Sequence, residues 1–230
     1  PYFMRCSCKI FLLLTLIIVG SLEPLAAQTL RLRQQGTDAK NIRVQVGETV
    51  TIEVYGELTG VKAAGFSLFI SLPEDAFQVI DQRPSGVAGE QIGVQPFVQG
   101  PLFTGAGEQA NFLVPETDPA AANFEGQQLE YAAVIGGAGN RIRTGSGVLA
   151  TFQLVCIRPI DNGLISIDDN PIRETRLVLS DGISEQRFVT TQSMEISVTG
   201  LELRDIPDVI LLPGQSDKTQ VGRLSDYVTM

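Results

Sequence analysis

The sequence contains no histidine and no tryptophan in 230 residues, and it has only three cysteines. Without histidine, the usual general base and the imidazole partner of serine and cysteine nucleophiles are missing, so triad catalysis is excluded. Zinc sites built from histidine or from several cysteines are excluded by the same counts. A carbohydrate-binding surface would have to use tyrosine and phenylalanine alone as its aromatic faces. The composition therefore favours a binding or structural protein over an enzyme.

The first 27 residues have the pattern of a secretory signal. A basic segment follows Met4, which we read as the initiator, and an apolar run over 10–22 comes next. This run is shorter than the roughly 20 apolar residues that a membrane-spanning helix needs. We therefore expect a signal peptide over 4–27, cut after Ala27. The predicted protein is exported, secreted or held at the cell surface, with no membrane span after cleavage.

The chain is acidic, and its basic residues are not clustered. Removal of 1–27 takes away Arg5, Lys9 and Glu23, which moves the net charge from −9 to −10. Phosphate backbones bind to clustered Lys and Arg side chains, so we expect no nucleic-acid partner. Cys156 is the one cysteine beyond residue 27, so the mature protein cannot close an internal disulfide and depends on its core.

Beyond the signal, apolar and polar residues alternate with a period of two, which is typical of half-buried strands. Glycine, proline and asparagine interrupt this pattern at short intervals. Nine or ten short strands with no helix to cover them can bury their apolar faces only against each other. The pattern predicts an all-β fold, a two-sheet β-sandwich or jelly roll. The predicted strands are 42–46, 50–55, 66–72, 77–80, 129–135, 148–156, 164–167, 175–179, 188–189 and 194–198, the first two joined by a tight Gly47-Glu48 turn.

Two further features follow from the same pattern. Residues 98–126 are rich in glycine and proline, which predicts a long irregular excursion with at most one short strand. Cys156 falls on the apolar side of its predicted strand, where a thiol behaves as an inert hydrophobic residue.

The remaining candidates for chemistry are better explained as turns. Glu74-Asp75, Asp168-Asp169 before Asn170-Pro171, and Asp181-Gly182 all lie where turns call for acidic and amide side chains. The 168–170 cluster could hold Ca²⁺ through its oxygens, but it lacks the spacing of a dedicated calcium loop. Gly136, Gly137 and Gly139 precede another strand and not a helix, so they predict a turn and not a phosphate-binding loop. We therefore assign no catalytic, cofactor-binding or metal-binding residue.

Three segments resemble the cohesin domain, the receptor half of the cohesin–dockerin pair, whose fold is shared with certain bacterial carbohydrate-binding modules. Residues 46–54 (VGETVTIEV) are similar to the family's early strand pair, and 64–72 (AGFSLFISL) to its glycine-led strand. Residues 145–154 (GSGVLATFQL) are similar to a strand late in the family. The resemblance spans about residues 29 to 200.

The resemblance implies a non-catalytic, immunoglobulin-like sandwich over 28–202 that binds a dockerin-type protein partner in an assembly linked to polysaccharide degradation. It does not assign partner-binding residues, and it implies no cofactor. A carbohydrate-binding module that takes polysaccharide is the alternative, and a structural spacer of a multi-module surface protein is another. We expect 203–230 to be a linker and the truncated start of a further immunoglobulin-like module, which its sequence resembles; a short C-terminal extension is the alternative.

Overall fold

A computed structural model describes residues 28–73, 76–83, 93–114, 126–136 and 142–201. Within these ranges the chain forms strands and one 3₁₀ turn, with no α-helix, and it contains no helix long and apolar enough to span a membrane. The all-β prediction is therefore confirmed. The strands are β1 (Gln28–Gln34), β2 (Asn41–Gln45), β3 (Thr49–Leu72), β4 (Phe77–Val79), β5 (Phe97–Gln99), β6 (Gly107–Leu113), β7 (Gln127–Val134), β8 (Arg143–Cys156), β9 (Ile160–Ile167), β10 (Arg176–Leu179), β11 (Glu185–Arg187), β12 (Thr190–Gln192) and β13 (Met194–Thr199), and the 3₁₀ turn is Pro101–Phe103.

Strand β3 is long enough to take part in both layers of the fold. Its first part, 49–58, pairs with β1 and β8, and its second part, 63–72, pairs with β7 and β10. Gly60 lies between the two parts with a φ of 77°, a left-handed conformation that glycine adopts without a steric penalty. The strand thus carries the chain from one sheet to the other.

The two sheets can be followed through these pairings. Sheet I has the order β12–β1–β3–β8, and β4 and β5 pair with successive stretches of the far edge of β8. Sheet II has the order β11–β10–β3–β7–β6 and is antiparallel throughout. Strand β9 joins β3 at Ile70 and Ser71 and is followed by β13 and β2, which run parallel to each other.

The core lies between the sheets and centres on five aromatic rings. Phe66 and Tyr131 come from sheet II, and Phe97 and Phe152 come from sheet I. The Phe97 ring stacks on Tyr131 at 5.0 Å between centroids, and Phe66 meets Phe103 of the 3₁₀ turn edge-on at 4.7 Å. Each such pair adds about 1 kcal/mol beyond the burial of its surface. Burial of these rings by both sheets is what makes the fold a sandwich.

One edge of the sandwich is closed by a side chain and not by a strand pair. The Asn111 side chain on β6 accepts a hydrogen bond from the Phe97 N–H at 3.0 Å and donates one to the Phe97 carbonyl at 2.9 Å. Both residues are fully buried. Because an amide carries one acceptor and one donor group, it replaces a strand neighbour for β5. Asn111 therefore links sheet I to sheet II.

The expected strands on either side of the Gly47-Glu48 turn are present as β2 and the start of β3, and they pair with different strands, β2 with β13 and β3 with β1 and β8. Two other strand predictions need correction. The predicted strand 188–189 is wrong, since both residues lie between β11 and β12. The described residues form thirteen strands, more than the nine or ten expected, because β1, β5, β6, β11 and β12 were not predicted.

The predicted irregular excursion over 98–126 is wrong for its first part. It contains the end of β5, the 3₁₀ turn and the seven-residue strand β6. Glycine and asparagine obscured the alternation of β6, whose Asn111 is buried through its hydrogen bonds to Phe97. The signal segment 4–27 and the segment 203–230 lie outside the described residues, as do 74–75, 84–86, 115–125 and 137–140.

Candidate partner-docking face

The acidic residues singled out in the sequence serve the fold. The Asp168 carboxylate accepts hydrogen bonds from the hydroxyls of Ser71 and Ser166, and Asp169 forms an ion pair with Arg176. The Asn170 side chain accepts the N–H groups of the two residues that end its turn, each at 3.0 Å. The described residues contain no group of three or more acidic or cysteine side chains that could hold a metal ion. The turn interpretation of 168–170 therefore agrees with the structure.

The Asp181 turn follows the same logic. Its Oδ1 accepts the N–H groups of Ile183 at 3.0 Å and Ser184 at 2.8 Å. The hydrogen bond from the Ser184 side chain, with these two, lowers the pKa of Asp181. The Asp181 carboxylate is thus held in its charged form by its own turn, and it is exposed at the surface.

Cys156 lies at the end of β8 with no exposed surface. Burial, together with the charge of Glu48, raises the pKa of its thiol to about 11. The thiol is therefore protonated at neutral pH, as expected for an inert core cysteine.

The outer face of sheet II is the surface best suited to receive a partner. We call "outer face" the side chains that point away from the core on β6, β7 and the second part of β3: Ala110, Phe112, Glu130, Ala132, Ser67 and Phe69. Their neighbours along the strands, Tyr131, Phe66 and Leu68 among them, are buried in the core. Because successive side chains of a strand point to opposite sides, the named set faces outward.

Strand register arranges this face in rows that cross the sheet. One row contains Ala110, Ala132, Ser67, Arg176 and Arg187, each directly opposite the next on β6, β7, β3, β10 and β11. Its centre consists of small side chains, so the middle of the face is flat. Its β10–β11 end carries two arginines. The row therefore has a flat centre, with the buried Arg176 and the exposed Arg187 at its border.

A second row lies beside the first and contains Phe112, Glu130 and Phe69. The Arg173 guanidinium lies 5.6 Å from the centroid of the Phe69 ring, and its NH1 lies 3.6 Å from the Glu130 carboxylate. All three row members are half-buried, and Arg173 is only 4% exposed. This row adds aromatic surface to the outer face, and the buried Arg173 holds the Glu130 carboxylate in place within it.

Arg176 organises the border of the outer face. It is 6% exposed and forms ion pairs with Asp169 and, at 2.9 Å, with Glu174. Burial alone would lower the pKa of Arg176, but the hydrogen bonds and charges of its two carboxylate partners raise it. Arg176 is therefore charged, and it holds both acids in place.

The outward face of sheet I, in contrast, is occupied by its own residues. The guanidinium groups of Arg31 and Arg33 lie 4.7 and 4.0 Å from the Tyr55 ring centroid. Arg33 also bonds to Glu53 at 2.8 Å and to Asp38 at 2.7 Å. The Tyr55 ring is thus in contact with two guanidinium groups, and no aromatic residue is among the exposed large hydrophobic side chains of the described ranges.

The residues of the outer face had not been assigned from the sequence. Arg173 and Arg176 follow an acidic turn, where a charge is normally solvated, and nothing local shows that they are buried. Phe69 belongs to a predicted strand, and its position opposite Glu130 depends on the pairing of β3 with β7. Only a prediction of strand register could have brought these residues together.

Comparison with solved structures identifies the fold. A type II cohesin domain from the cellulosome of Acetivibrio cellulolyticus is 16% identical, with 74% of this chain and 95% of that chain covered and a TM-score of 0.51. The type II cohesin dyad from the adaptor ScaA scaffoldin of the same organism is 16% identical, with 74% and 48% covered and a TM-score of 0.52. A non-cellulosomal cohesin from the archaeon Archaeoglobus fulgidus is 14% identical, with 76% and 93% covered and a TM-score of 0.47.

No family model and no curated protein sequence matches the chain. At these identities the likeness concerns the fold. The described residues form a cohesin-like β-sandwich, as the sequence resemblance predicted.

Proposed function

We propose that the cohesin-like sandwich is a non-catalytic binding module and that it captures a dockerin-type protein partner on the outer face of sheet II. The observation that carries this proposal is the row of small residues Ala110, Ala132 and Ser67 across three neighbouring strands, bordered by Phe112 and Phe69. The small side chains leave the centre of the face flat, and the phenylalanines beside them supply aromatic surface of the kind that is enriched at protein interfaces.

The charged border supports the same proposal. Arg173 and Arg176 are buried and hold the carboxylates of Glu130, Asp169 and Glu174 in place, so a partner would meet these acids in fixed positions. Preordered side chains lose little conformational entropy on binding. A stable interface buries about 800 Å² on each partner, and a face that spans the five strands of sheet II is of suitable size.

The wider setting is proposed from the sequence pattern. Export through the 4–27 signal, a domain over 28–202 and a linker over 203–230 into a further module would place the binding face outside the cell. There it would hold an enzyme or another module in an assembly that degrades polysaccharide. The absence of histidine from the sequence supports the non-catalytic part.

The proposal is tested by calorimetric titration of the purified protein with a panel of dockerin modules in the presence of Ca²⁺, with soluble cellulose and hemicellulose fragments as parallel ligands. We expect saturable binding of at least one dockerin at micromolar affinity or tighter, about −8 kcal/mol. Heat with a glycan and none with any dockerin would overturn the proposal in favour of a carbohydrate-binding module. No heat with either ligand class would favour a spacer.

A further inference from the structure

Glu130 lies at the centre of the outer face between two aromatic side chains. It is directly opposite Phe112 on β6 and directly opposite Phe69 on β3, so the three side chains form one row across neighbouring strands. Residues that are directly opposite each other in an antiparallel pair have their Cβ atoms about 5 Å apart. The Glu130 side chain therefore has a phenylalanine as its neighbour on each side.

This row favours a positive charge for two reasons. Both phenylalanines are half-buried and the Glu130 side chain is 23% exposed, so the carboxylate has less water around it than a fully exposed acid has. The attraction between a carboxylate and a cation grows as the surrounding dielectric constant falls. The face of an aromatic ring also attracts a cation, because the ring carries negative charge density there.

A guanidinium group of the chain itself already lies in one half of this row. Arg173 is 4% exposed, its Cζ lies 5.6 Å from the centroid of the Phe69 ring, and its NH1 lies 3.6 Å from the Glu130 carboxylate. The Phe69 half thus shows that a cation fits against a ring and this carboxylate together. The Phe112 half repeats the same pairing of a ring with Glu130 on the neighbouring strand.

The charge of the chain favours a basic partner at this row. The chain has a net charge of −9, which attracts a basic protein before contact is made. An ionised carboxylate has about four acceptor positions on its two oxygens, so the contact with Arg173 does not exhaust the capacity of Glu130.

We propose that Phe112 and Glu130 select a protein partner that places a lysine or arginine side chain against the Phe112 ring and pairs it with the Glu130 carboxylate. The inference rests on the proposed function, since it assigns the chemistry of the partner that docks on the outer face. The ammonium or guanidinium group donates to Glu130, and the rest of that side chain packs on Phe112. Arg173 is a positioning residue, because it holds the carboxylate from the other half of the row.

The test uses the full chain and the dockerin modules of the panel described above. Glu130→Gln keeps the size of the side chain and an acceptor for Arg173 but removes the charge, and we expect it to weaken binding at least about tenfold. Glu57→Gln is the matched control. Glu57 also lies 3.5 Å from an arginine and is 38% exposed, but it belongs to the part of β3 that pairs in sheet I, so its loss should leave the affinity unchanged.

Salt dependence is a readout that a merely structural role of Glu130 would not move. The affinity of the wild type should fall as NaCl is raised from about 50 mM to about 500 mM, and that of Glu130→Gln should fall less, because salt screens the charge pair. Phe112→Leu is a second variant, which keeps apolar volume and leaves Glu130 and Arg173 in place. We expect it to weaken binding about threefold through loss of the ring face. Thermal melts establish that each variant is folded.

Three outcomes would overturn the inference, and they are distinguishable. If the wild-type chain binds a dockerin and Glu130→Gln binds it as tightly as Glu57→Gln does, Glu130 selects no partner while the proposed function stands. If Glu130→Gln binds weakly but keeps the salt dependence of the wild type, its loss is structural and the basic partner residue is wrong. If no dockerin binds the wild-type chain, the proposed function fails and the inference fails with it.

Discussion

Replacement of Asn111 by alanine should cost far more stability than its size suggests. The substitution leaves both the N–H and the carbonyl of Phe97 without a partner in a fully buried position. An unsatisfied buried polar group costs about 1–3 kcal/mol, so two such groups should lower the free energy of unfolding by about 3 kcal/mol. With a urea slope of about 2 kcal/mol per molar, the unfolding midpoint should fall by about 1.5 M. Urea titration followed by far-ultraviolet circular dichroism measures this shift.

Asn41→Ala is the matched control, because Asn41 is exposed on the edge strand β2. Its effect on the free energy of unfolding should stay within about 0.5 kcal/mol. A loss of less than about 1 kcal/mol for Asn111→Ala would refute the reasoning, since it would mean that water or a shift of β5 satisfies Phe97 at little cost.

Three further predictions concern the core and the charged turn. Gly100→Ala should lower the free energy of unfolding, measured by urea titration, by about 2 kcal/mol, because a Cβ there would lie 2.2 Å from the Val148 carbonyl oxygen. Gly136→Ala is the control and should leave this free energy unchanged, because the space around Gly136 is open. Cys156 should resist thiol reagents at pH 8 in the folded protein, because burial raises its pKa to about 11, and peptide mass spectrometry after labelling measures this. Burial raises the pKa of the Asp168 carboxyl above its value in the unfolded chain. The free energy of unfolding of the wild type, relative to that of Asp168→Asn, should therefore be greatest below about pH 4. It should fall as the pH rises through the pKa of Asp168 in the folded protein.

Each of these predictions has a contrary result. Equal stability of the two glycine variants would show that β8 yields at no cost. Rapid labelling of Cys156 under native conditions would show that the end of β8 opens readily. A constant difference in stability between wild type and Asp168→Asn from pH 3 to 7 would show that the hydroxyls of Ser71 and Ser166 offset burial completely.

The strands that alternate strictly were predictable from the sequence. Met194, Ile196 and Val198 of β13 are all buried while their neighbours are more exposed, and the same holds for Phe152, Leu154 and Cys156 of β8. A period of two shows which side of each strand is apolar. Because no helix is available to cover these apolar sides, two sheets must face each other.

Strand partners were not predictable, and the candidate site depends on them. Ala132, Ser67 and Arg176 lie side by side through the pairings of β7, β3 and β10, although they are far apart in sequence. Strand β6 gave no clear pattern, because buried Ala110 and Asn111 are adjacent and one of them is polar. Arginine is usually exposed, so the sequence gives no reason to expect that Arg176 is buried. Its burial depends on ion pairs with Asp169 and Glu174 in the turn before it.

The central claim is that a protein partner docks on the outer face of sheet II. It is tested most directly by placing a bulky side chain on each face in turn and titrating both variants with a dockerin module that binds the wild type. Ala132→Trp obstructs the outer face, and Thr151→Trp places the same side chain on the outward face of sheet I, opposite Glu53. We predict that Ala132→Trp abolishes binding and that Thr151→Trp leaves it unchanged. Unchanged binding by Ala132→Trp, or loss of binding by Thr151→Trp alone, would contradict the account.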